Sequence, residues 1–420
     1  MHTQFCLLAV ILLLVPSLTN AQTESRIMPD PRIDESISLM QGFAEHTGLI
    51  SKRPERRYLW TDAFAVCNFL GLARLTGEPQ YTELALQLVE HVHHTLGKHR
   101  SDDTRSGWIS GLSKREGELH PTRGGLRIGK TLPERGPDEP FDEQLEWDRD
   151  GQYYHYLTKW MHALDQVTRS TRKPHFNVWA RELAEAASNA FTYSSNAAGS
   201  PHRMYWKMST DLSRALVPSM GQHDPLDGYI TYVQLESTAT TSPNPDTGPK
   251  LANEISQLSA MIDEDELATG DPLGIGGLLT DAYRVYQLSQ QGAKIDKRLL
   301  EILLSASLSG LQYYTRGRDL RLPAEYRLAF RELGLAIGLH AVERMWQTAN
   351  SGVNRSSLSA EARAQLQALT EYTPMCNEIE SFWRNPEHRN ADTWSEHRDI
   401  NEVMLATSLA PEGFLILVFH

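Results

Sequence analysis

The chain has 420 residues, 40% of them apolar, and its 53 Asp and Glu outnumber 41 Lys and Arg, for a formal net charge of −12. This apolar share excludes a largely disordered chain. Nucleic-acid binding needs a concentrated basic surface, and the sequence has no run of Lys or Arg that would supply one. We therefore expect a globular protein with a neutral or cationic small partner.

Residues 1–21 have the features of a secretory signal peptide. The run Phe5–Val15 is almost wholly apolar, and small residues ending at Ala21 follow it. The run is too short to cross a bilayer, which takes roughly 20 residues. We expect cleavage after Ala21, giving a secreted or periplasmic mature chain without a membrane anchor; an uncleaved anchor is the alternative.

Cysteine usage gives little further information. Cys6 lies in the signal segment, and the spacing of Cys67 and Cys376 matches neither a zinc motif nor a disulfide framework. We expect two buried thiols. A disulfide between them is the alternative if the first and last helices are neighbours.

Pairs of helices recur along the chain. In several pairs the first helix is rich in Gly, Ala and aromatic residues and the second is amphipathic, which predicts an inner and an outer ring. An open solenoid is the competing arrangement. The irregular repeat lengths and the apolar last helix favour a closed ring. The predicted helices, in chain order, are 60–75 with 81–96, 150–168 with 174–193, 271–289 with 296–313, 326–345 with 358–382, and a last one from 399; segments at 205–216 and 227–236 and a helix at 250–263 lie between.

Four short segments carry a family resemblance: Trp60–Asp62 (WTD), Glu146–Tyr153 (EWDRDGQY), Gly270–Leu273 (GDPL) and Trp394 with His397 and Asp399. They resemble what six-hairpin carbohydrate enzymes carry at the mouths of their inner helices. The chain is similar in architecture, over about residues 35–420, to unsaturated glucuronyl hydrolases and N-acylglucosamine 2-epimerases. The resemblance implies an all-α (α/α)6 barrel as a single domain, 22–420, with long loops at one face and a carbohydrate substrate.

The densest group of polar and aromatic residues is 134–162, where eight carboxylates between Glu134 and Asp150 precede a Tyr- and His-rich stretch. Aromatic faces and carboxylates suit a sugar site, and a buried acid can act as proton donor. An acidic solvated loop before a core helix is the alternative. Residues 146–151 also resemble the start of a calcium loop, but Leu157 stands where a bidentate Glu is needed.

The candidate residues fall into two sets. Asp62 paired with Asp148 or Asp150 could supply acid and base. His223, oriented by Asp224 or Asp227, or His397 could abstract a proton. Helix capping, turn formation and structural ion pairing are the alternatives for these positions. The catalytic candidates are Asp62, Asp148, Asp150, His223 and His397, and the substrate-binding candidates are Trp60, Trp147, Tyr153, His155, Trp206, Asp271, Glu332 and Trp394.

Three functions remain open. Hydrolysis of a glycoside is the leading hypothesis, because two carboxylates and water suffice. Epimerisation or lysis with a histidine base is the second, and a non-catalytic glycan-binding barrel is the third. The sequence has no GxSxG, no HExxH and no phosphate-binding loop, so we expect no metal and no cofactor.

Asp150 has a specific expected position. If Gly151 marks the turn into a helix, Asp150 should cap that helix, and Tyr153 and His155 should face inward. Trp147 and Asp150 should then border the mouth of the cavity, with Tyr154 facing elsewhere.

Overall fold

The computed structural model describes residues 30–194, 202–241, 247–351 and 358–417, and it is mainly helical. The predicted signal peptide lies outside the described residues. The helices are α1 (Pro31–His46), α2 (Leu59–Thr76), α3 (Pro79–Leu96), α4 (Lys114–Leu119), α5 (Glu143–Asp148), α6 (Tyr154–Thr171), α7 (His175–Phe191), α8 (Asp224–Thr240), α9 (Ala252–Met261), α10 (Pro272–Gln290), α11 (Arg298–Gly317), α12 (Ala329–Asn350), α13 (Ala360–Thr370), α14 (Met375–Arg384), α15 (Asp392–Ser395), α16 (Arg398–Leu409) and α17 (Glu412–Leu415). The strands are β1 (Gln152–Tyr153), β2 (Thr192–Ser194), β3 (His202–Met204), β4 (Lys207–Met208) and β5 (Ala215–Val217).

Six helices form the inner ring: α2, α6, α8, α10, α12 and α16. Each packs against the next, and α16 packs against α2 to close the ring. Their sequences explain their position, since α2 is buried at every residue from Leu59 to Leu72. A helix without a polar face cannot face solvent, so it must lie inside.

An outer helix covers each inner one. α3, α7, α9 and α11 follow their inner partners along the chain, and α13 with α14 covers α12. The sixth hairpin joins the two ends of the described chain, because α1 packs on α16 and the Ser36 hydroxyl donates to the Ala406 carbonyl at 3.1 Å. The chain is therefore an (α/α)6 barrel, as predicted.

Glycines allow the closest approach of two inner helices, α10 and α12. A Cβ added to Gly276 would lie 2.1 Å from the carbonyl oxygen of Gly334, and one added to Gly338 would lie 2.7 Å from the Cα of Gly276. The glycine-rich runs of both helices are thus required by backbone packing.

The C-terminal segment closes one end of the barrel. Gln166 donates to the Gly413 carbonyl at 2.8 Å, and Gln287 donates to the Leu415 carbonyl at the same distance. The ring of Phe414 stacks on Phe64 with centroids 4.4 Å apart. The interior is consequently closed near the C-terminal ends of the inner helices.

A small antiparallel sheet lies before the first turn of α6. β4 is central, pairing Tyr153 with Lys207 on one side and Lys207 with Val217 on the other. The segment 205–216, which lies within the predicted all-α barrel, therefore contributes strands to the fold. Strands as short as these are stabilised by pairing with another strand, and the pairing partner cannot be recognised from the periodicity of the segment itself.

Two other predicted helices are divided. The region 358–382 forms α13 and α14 with a break before Met375, and the last helix stops before Pro411.

Cys67 and Cys376 are free, buried thiols. None of the helices in the described parts of the chain combines the length and apolarity that a bilayer span requires.

Candidate active site

A cavity of about 370 Å³ lies inside the inner ring. It extends from residues at the first turns of inner helices, among them Trp60, Asp224 and Asp271, down to Phe414 of the closing segment. A larger cavity of about 1,090 Å³ lies near the opposite ends of α6, α8 and α10, but Glu236 is the single carboxylate among its described lining residues. Of these two cavities, the inner one is therefore the one whose described lining residues include a pair of acids.

Asp227 on α8 is an ionised carboxylate held by two cations. Lys159 Nζ lies 2.8 Å from its Oδ2, and Arg284 Nη1 lies 3.3 Å from its Oδ1. Thr158 donates a further hydrogen bond to Oδ2. Burial raises the pKa of Asp227, but Lys159 and Arg284 outweigh it, so the net shift is downward.

Asp224 lies one helical turn before Asp227 and has the opposite environment. Its Oδ2 is buried and has no hydrogen-bond partner among the described residues. Burial, followed by the negative charge of Asp227, raises the pKa of Asp224 to about 7. Asp224 is thus poised to hold a proton near neutral pH while Asp227 stays charged. Two carboxyl groups with pKa values pushed apart are the arrangement that separates an acid from a base.

Asp281 and Arg284 on α10 complete the charged group, and sequence reasoning missed both. Arg284 Nη1 lies 3.0 Å from Asp281 Oδ1, and its Nη2 donates to Gln234 at 2.8 Å. Burial and then the charge of Asp227 raise the pKa of Asp281 to about 6. The sequence did contain a signal for them, namely an acid and a base three residues apart in an otherwise apolar helix. Such buried charges must be paired or line a cavity, so the two residues could have been proposed as part of a site.

His155 and Trp206 form an aromatic wall of the cavity. Their rings are nearly parallel, with an interplanar angle of 17° and centroids 6.1 Å apart. His155 Nδ1 lies 3.9 Å from Asp224 Oδ1, and no hydrogen-bond partner for it occurs in the described parts of the chain. Desolvation and then Lys159 lower the pKa of His155 to about 4, which leaves its imidazole neutral at pH 7.

The structure brings some predicted site residues to the cavity and places others elsewhere. Tyr153 contacts the rings of His155 and Trp206, and Trp147 contacts Trp206 from outside. Those that line the cavity are Trp60, His155, Trp206, His223 and Asp271. Those that do not are Asp62, Asp148, Asp150, His397, Trp147, Tyr153, Glu332 and Trp394.

The three predicted acids have separate surroundings. Asp62 is buried beside Arg57 and accepts from the backbone N–H of Tyr58 at 3.0 Å, and burial raises its pKa to about 7. Asp148 is exposed at the end of α5. Asp150 is buried, and its Oδ2 lies 2.5 Å from Arg127 Nη1. The prediction that Asp150 caps α6 is wrong, because Tyr153 occupies the N-cap position. The structure therefore does not bring these three acids together in the cavity.

The remaining candidates have mainly structural partners. His223 lines the cavity, and its Nε2 donates to the Leu267 carbonyl at 2.8 Å. Glu332 pairs with Arg327 at 2.7 Å. His397 lies edge-on to Phe330, and buried Trp394 stacks with Trp383. Asp271 caps α10 by accepting from Gly274 and pairs with Arg331.

One group of described residues could offer three ligands to a metal ion: His46, Asp399 and Glu402. It lies between α1 and α16, outside the cavity. Arg56 and Arg398 already pair with the two carboxylates, at 3.2 and 2.8 Å. Two of the three acids in the calcium-like segment are likewise paired, Glu146 with Lys207 and Arg135 and Asp150 with Arg127, while Asp148 is exposed.

Comparison with solved structures finds the same architecture in a GH76 α-mannanase from Bacteroides thetaiotaomicron. The TM-score is 0.51 with 9% sequence identity, and the match covers 91% of this chain and 95% of that chain. This likeness shows the (α/α)6-barrel fold and confirms the predicted six-hairpin architecture. No family model matches the sequence, and no curated protein sequence matches it significantly.

Proposed function

We propose that the chain is a glycoside hydrolase whose acid and base are Asp224 and Asp227. The observation that carries this proposal is their opposite protonation preference on successive turns of α8, at the wall of the inner cavity. Glycoside hydrolysis needs one carboxylic acid and one carboxylate on either side of the scissile bond.

The roles follow from the charges. Asp224 donates its proton to the leaving-group oxygen as the glycosidic bond breaks. Asp227, kept anionic by Lys159 and Arg284, either removes a proton from the attacking water or attacks the anomeric carbon directly. Lys159 and Arg284 are positioning residues for Asp227. Asp281, with its raised pKa, is a second protonatable group near the same arginine.

Two further observations support a carbohydrate substrate. The cavity wall contains Trp60, His155 and Trp206, whose ring faces suit the apolar faces of sugars. A solved protein with this architecture is described as an α-mannanase, which makes α-linked mannans the first substrates to test. We also propose that residues 1–21 are removed on export, which N-terminal sequencing of the secreted or periplasmic protein would test.

The direct experiment is incubation with a broad glycan panel that includes α-mannans, other neutral polysaccharides and unsaturated uronides. We expect new reducing ends from at least one neutral glycan. NMR of the first product formed would show whether the anomeric configuration is retained or inverted. A folded protein that releases no product from any glycan would contradict the proposal.

A histidine base is the second candidate mechanism, and His155 is the observation that favours it. A neutral imidazole with an unpartnered nitrogen in the cavity can abstract a proton from carbon, as epimerisation or lysis requires. Reaction in deuterated water discriminates the two. Carbon-bound deuterium in recovered substrate or isomer indicates epimerisation and a new double bond indicates lysis, whereas hydrolysis produces neither. Glycan binding with neither product nor exchange would indicate the non-catalytic alternative.

A further inference from the structure

Two tryptophans extend the cavity wall toward solvent. Trp206 lines the cavity, and Trp147 packs edge-on against it with centroids 5.0 Å apart and an interplanar angle of 79°. Trp147 is 47% exposed. The aromatic surface is therefore continuous from His155 inside the cavity, through Trp206, to Trp147 outside. We call Trp147 and Trp206 the tryptophan platform.

A buried ion pair joins the two residues that flank the platform tryptophans in sequence. Glu146 and Lys207, each adjacent in sequence to one of the two tryptophans, are joined by a 2.9 Å contact between Oε1 and Nζ. Lys207 Nζ also donates to the backbone carbonyls of Glu146 and Arg149, at 2.7 and 2.9 Å. Arg135 Nε binds the other oxygen of Glu146 at 2.9 Å. Both members of the pair are buried.

The ion pair fixes geometry more than it stabilises the fold. Removing two charges from water costs about as much as their attraction returns, so a buried pair is weak evidence of stability. α5 has six residues, of which Glu146 alone is buried, and Leu145 and Trp147 are exposed. This helix buries no apolar side chain, so it is held in place by the bonds of Glu146 and by the hydrogen bond from the Leu132 N–H to the Asp148 carbonyl. The consequence is that Trp147 is positioned against Trp206.

An exposed aromatic surface that is positioned by a buried ion pair indicates a binding partner. Phe141, Leu145 and Trp147 are all exposed, among the exposed acids Asp142, Glu143 and Asp148. The acids disfavour an anionic membrane or an acidic ligand, and they can accept hydrogen bonds from hydroxyl groups. Since the platform is continuous with the proposed hydrolase cavity, a sugar of the same chain is the occupant that fits it.

We propose that the tryptophan platform binds a sugar unit outside the cavity, so that the substrate is a glycan chain of several units. Lys207 and Glu146 act through Trp147 as positioning residues. This inference rests on the proposed hydrolase function for its substrate class.

The test compares Trp147→Ala and Trp147→Phe with wild type on an oligosaccharide series of the glycan that the panel identifies. For Trp147→Ala we expect kcat/KM to fall about tenfold on long chains, a loss typical of one removed aromatic contact, and to stay unchanged on the shortest substrate cleaved. Trp147→Phe should recover most of the loss. Leu75→Ala removes a partly exposed apolar side chain near the C-terminal end of α2 and serves as the control. A loss equal at every chain length, or no loss, would overturn the proposal.

Lys207→Met tests the positioning role in a double-mutant cycle. If Lys207 acts through Trp147, the double variant should lose no more activity on long chains than Trp147→Ala alone. Additive losses would show that Lys207 has a separate, structural effect. Near-UV circular dichroism should also change in Lys207→Met, because the edge-on contact between the two indoles is disturbed.

A binding measurement separates failure of this inference from failure of the hydrolase proposal. If no glycan is cleaved, wild type and Trp147→Ala are run through native gels containing soluble mannan. If mannan slows the migration of wild type but not of Trp147→Ala, the tryptophan platform binds sugar even though the protein does not cleave it. Equal migration of both proteins, with and without mannan, would overturn it.

Discussion

Asp224 and Asp227 lie one turn apart on the same helix, yet within the described structure only Asp227 contacts cations, with Lys159 Nζ at 2.8 Å and Arg284 Nη1 at 3.3 Å. Burial acts on both carboxyl groups in the same direction. The cations therefore decide which of the two is ionised near neutral pH.

Asp224→Asn should abolish most turnover without unfolding the protein. Asn cannot donate a proton as an acid, so the rate should fall roughly 10²–10⁴-fold. At acid pH, where Asp224 is protonated, stability should change by about 1 kcal/mol or less, because Asp224 is replaced by a neutral group of the same shape. Initial rates and thermal melting check both effects. Asp34→Asn, an exposed acid on α1, should leave both unchanged; near-normal turnover in Asp224→Asn would exclude it as the acid.

The pH dependence of kcat/KM should have an alkaline limb near pH 7, where Asp224 loses its proton. Lys159→Met should move both limbs to higher pH, since Lys159 lowers the pKa of Asp227 and of Asp224. The measurement is a full pH–rate profile of both proteins. Lys173→Met, an exposed lysine after α6, is the matched control. Unmoved limbs in Lys159→Met would contradict these assignments.

Stability should also respond to Asp224. Its pKa is raised from 3.8 to about 7, so the folded state binds more protons than the unfolded state between these values. This contribution to the free energy of unfolding is present at low pH and is lost as pH rises through that interval, by an amount on the order of 1 kcal/mol or more. Urea unfolding at about pH 5 and about pH 8 should show a smaller decrease in Asp224→Asn than in wild type. An identical pH dependence would indicate an ordinary pKa for Asp224.

Gly413→Ala should destabilise the closed end of the barrel. An added Cβ would lie 1.9 Å from the Cys67 carbonyl oxygen and 2.7 Å from the Gly71 nitrogen, so backbone must shift. The expected cost is about 1–3 kcal/mol, typical of overpacking. Gly42→Ala is the control, because its Cβ would meet only His46 at 3.9 Å and should stabilise α1 by up to about 1 kcal/mol. Chemical denaturation measures both, and equal effects would contradict the packing argument.

The aromatic part of the site could be predicted from sequence better than its charged part. Trp60, His155 and Trp206 are candidates because aromatic faces suit a sugar site, and all three line the cavity, whereas Trp147, Tyr153 and Trp394 do not. The acids of the predicted catalytic pair come from two places: Asp62 follows Trp60 at the start of the first inner helix, and Asp148 and Asp150 belong to the acidic loop. Asp62 and Asp150 instead pair with nearby arginines, and Asp148 faces solvent.

The ring of helix pairs was determined by the sequence itself, because burial on all sides of α2 and the polar faces of the outer helices are properties of local composition and period. The chemistry of the cavity was decided only by the tertiary structure. Lys159 and Arg284 reach Asp227 from 68 and 57 residues away, and Trp147 meets Trp206 across two separate segments. Charge state depends on burial and on through-space distances, and neither can be obtained from spacing along the chain.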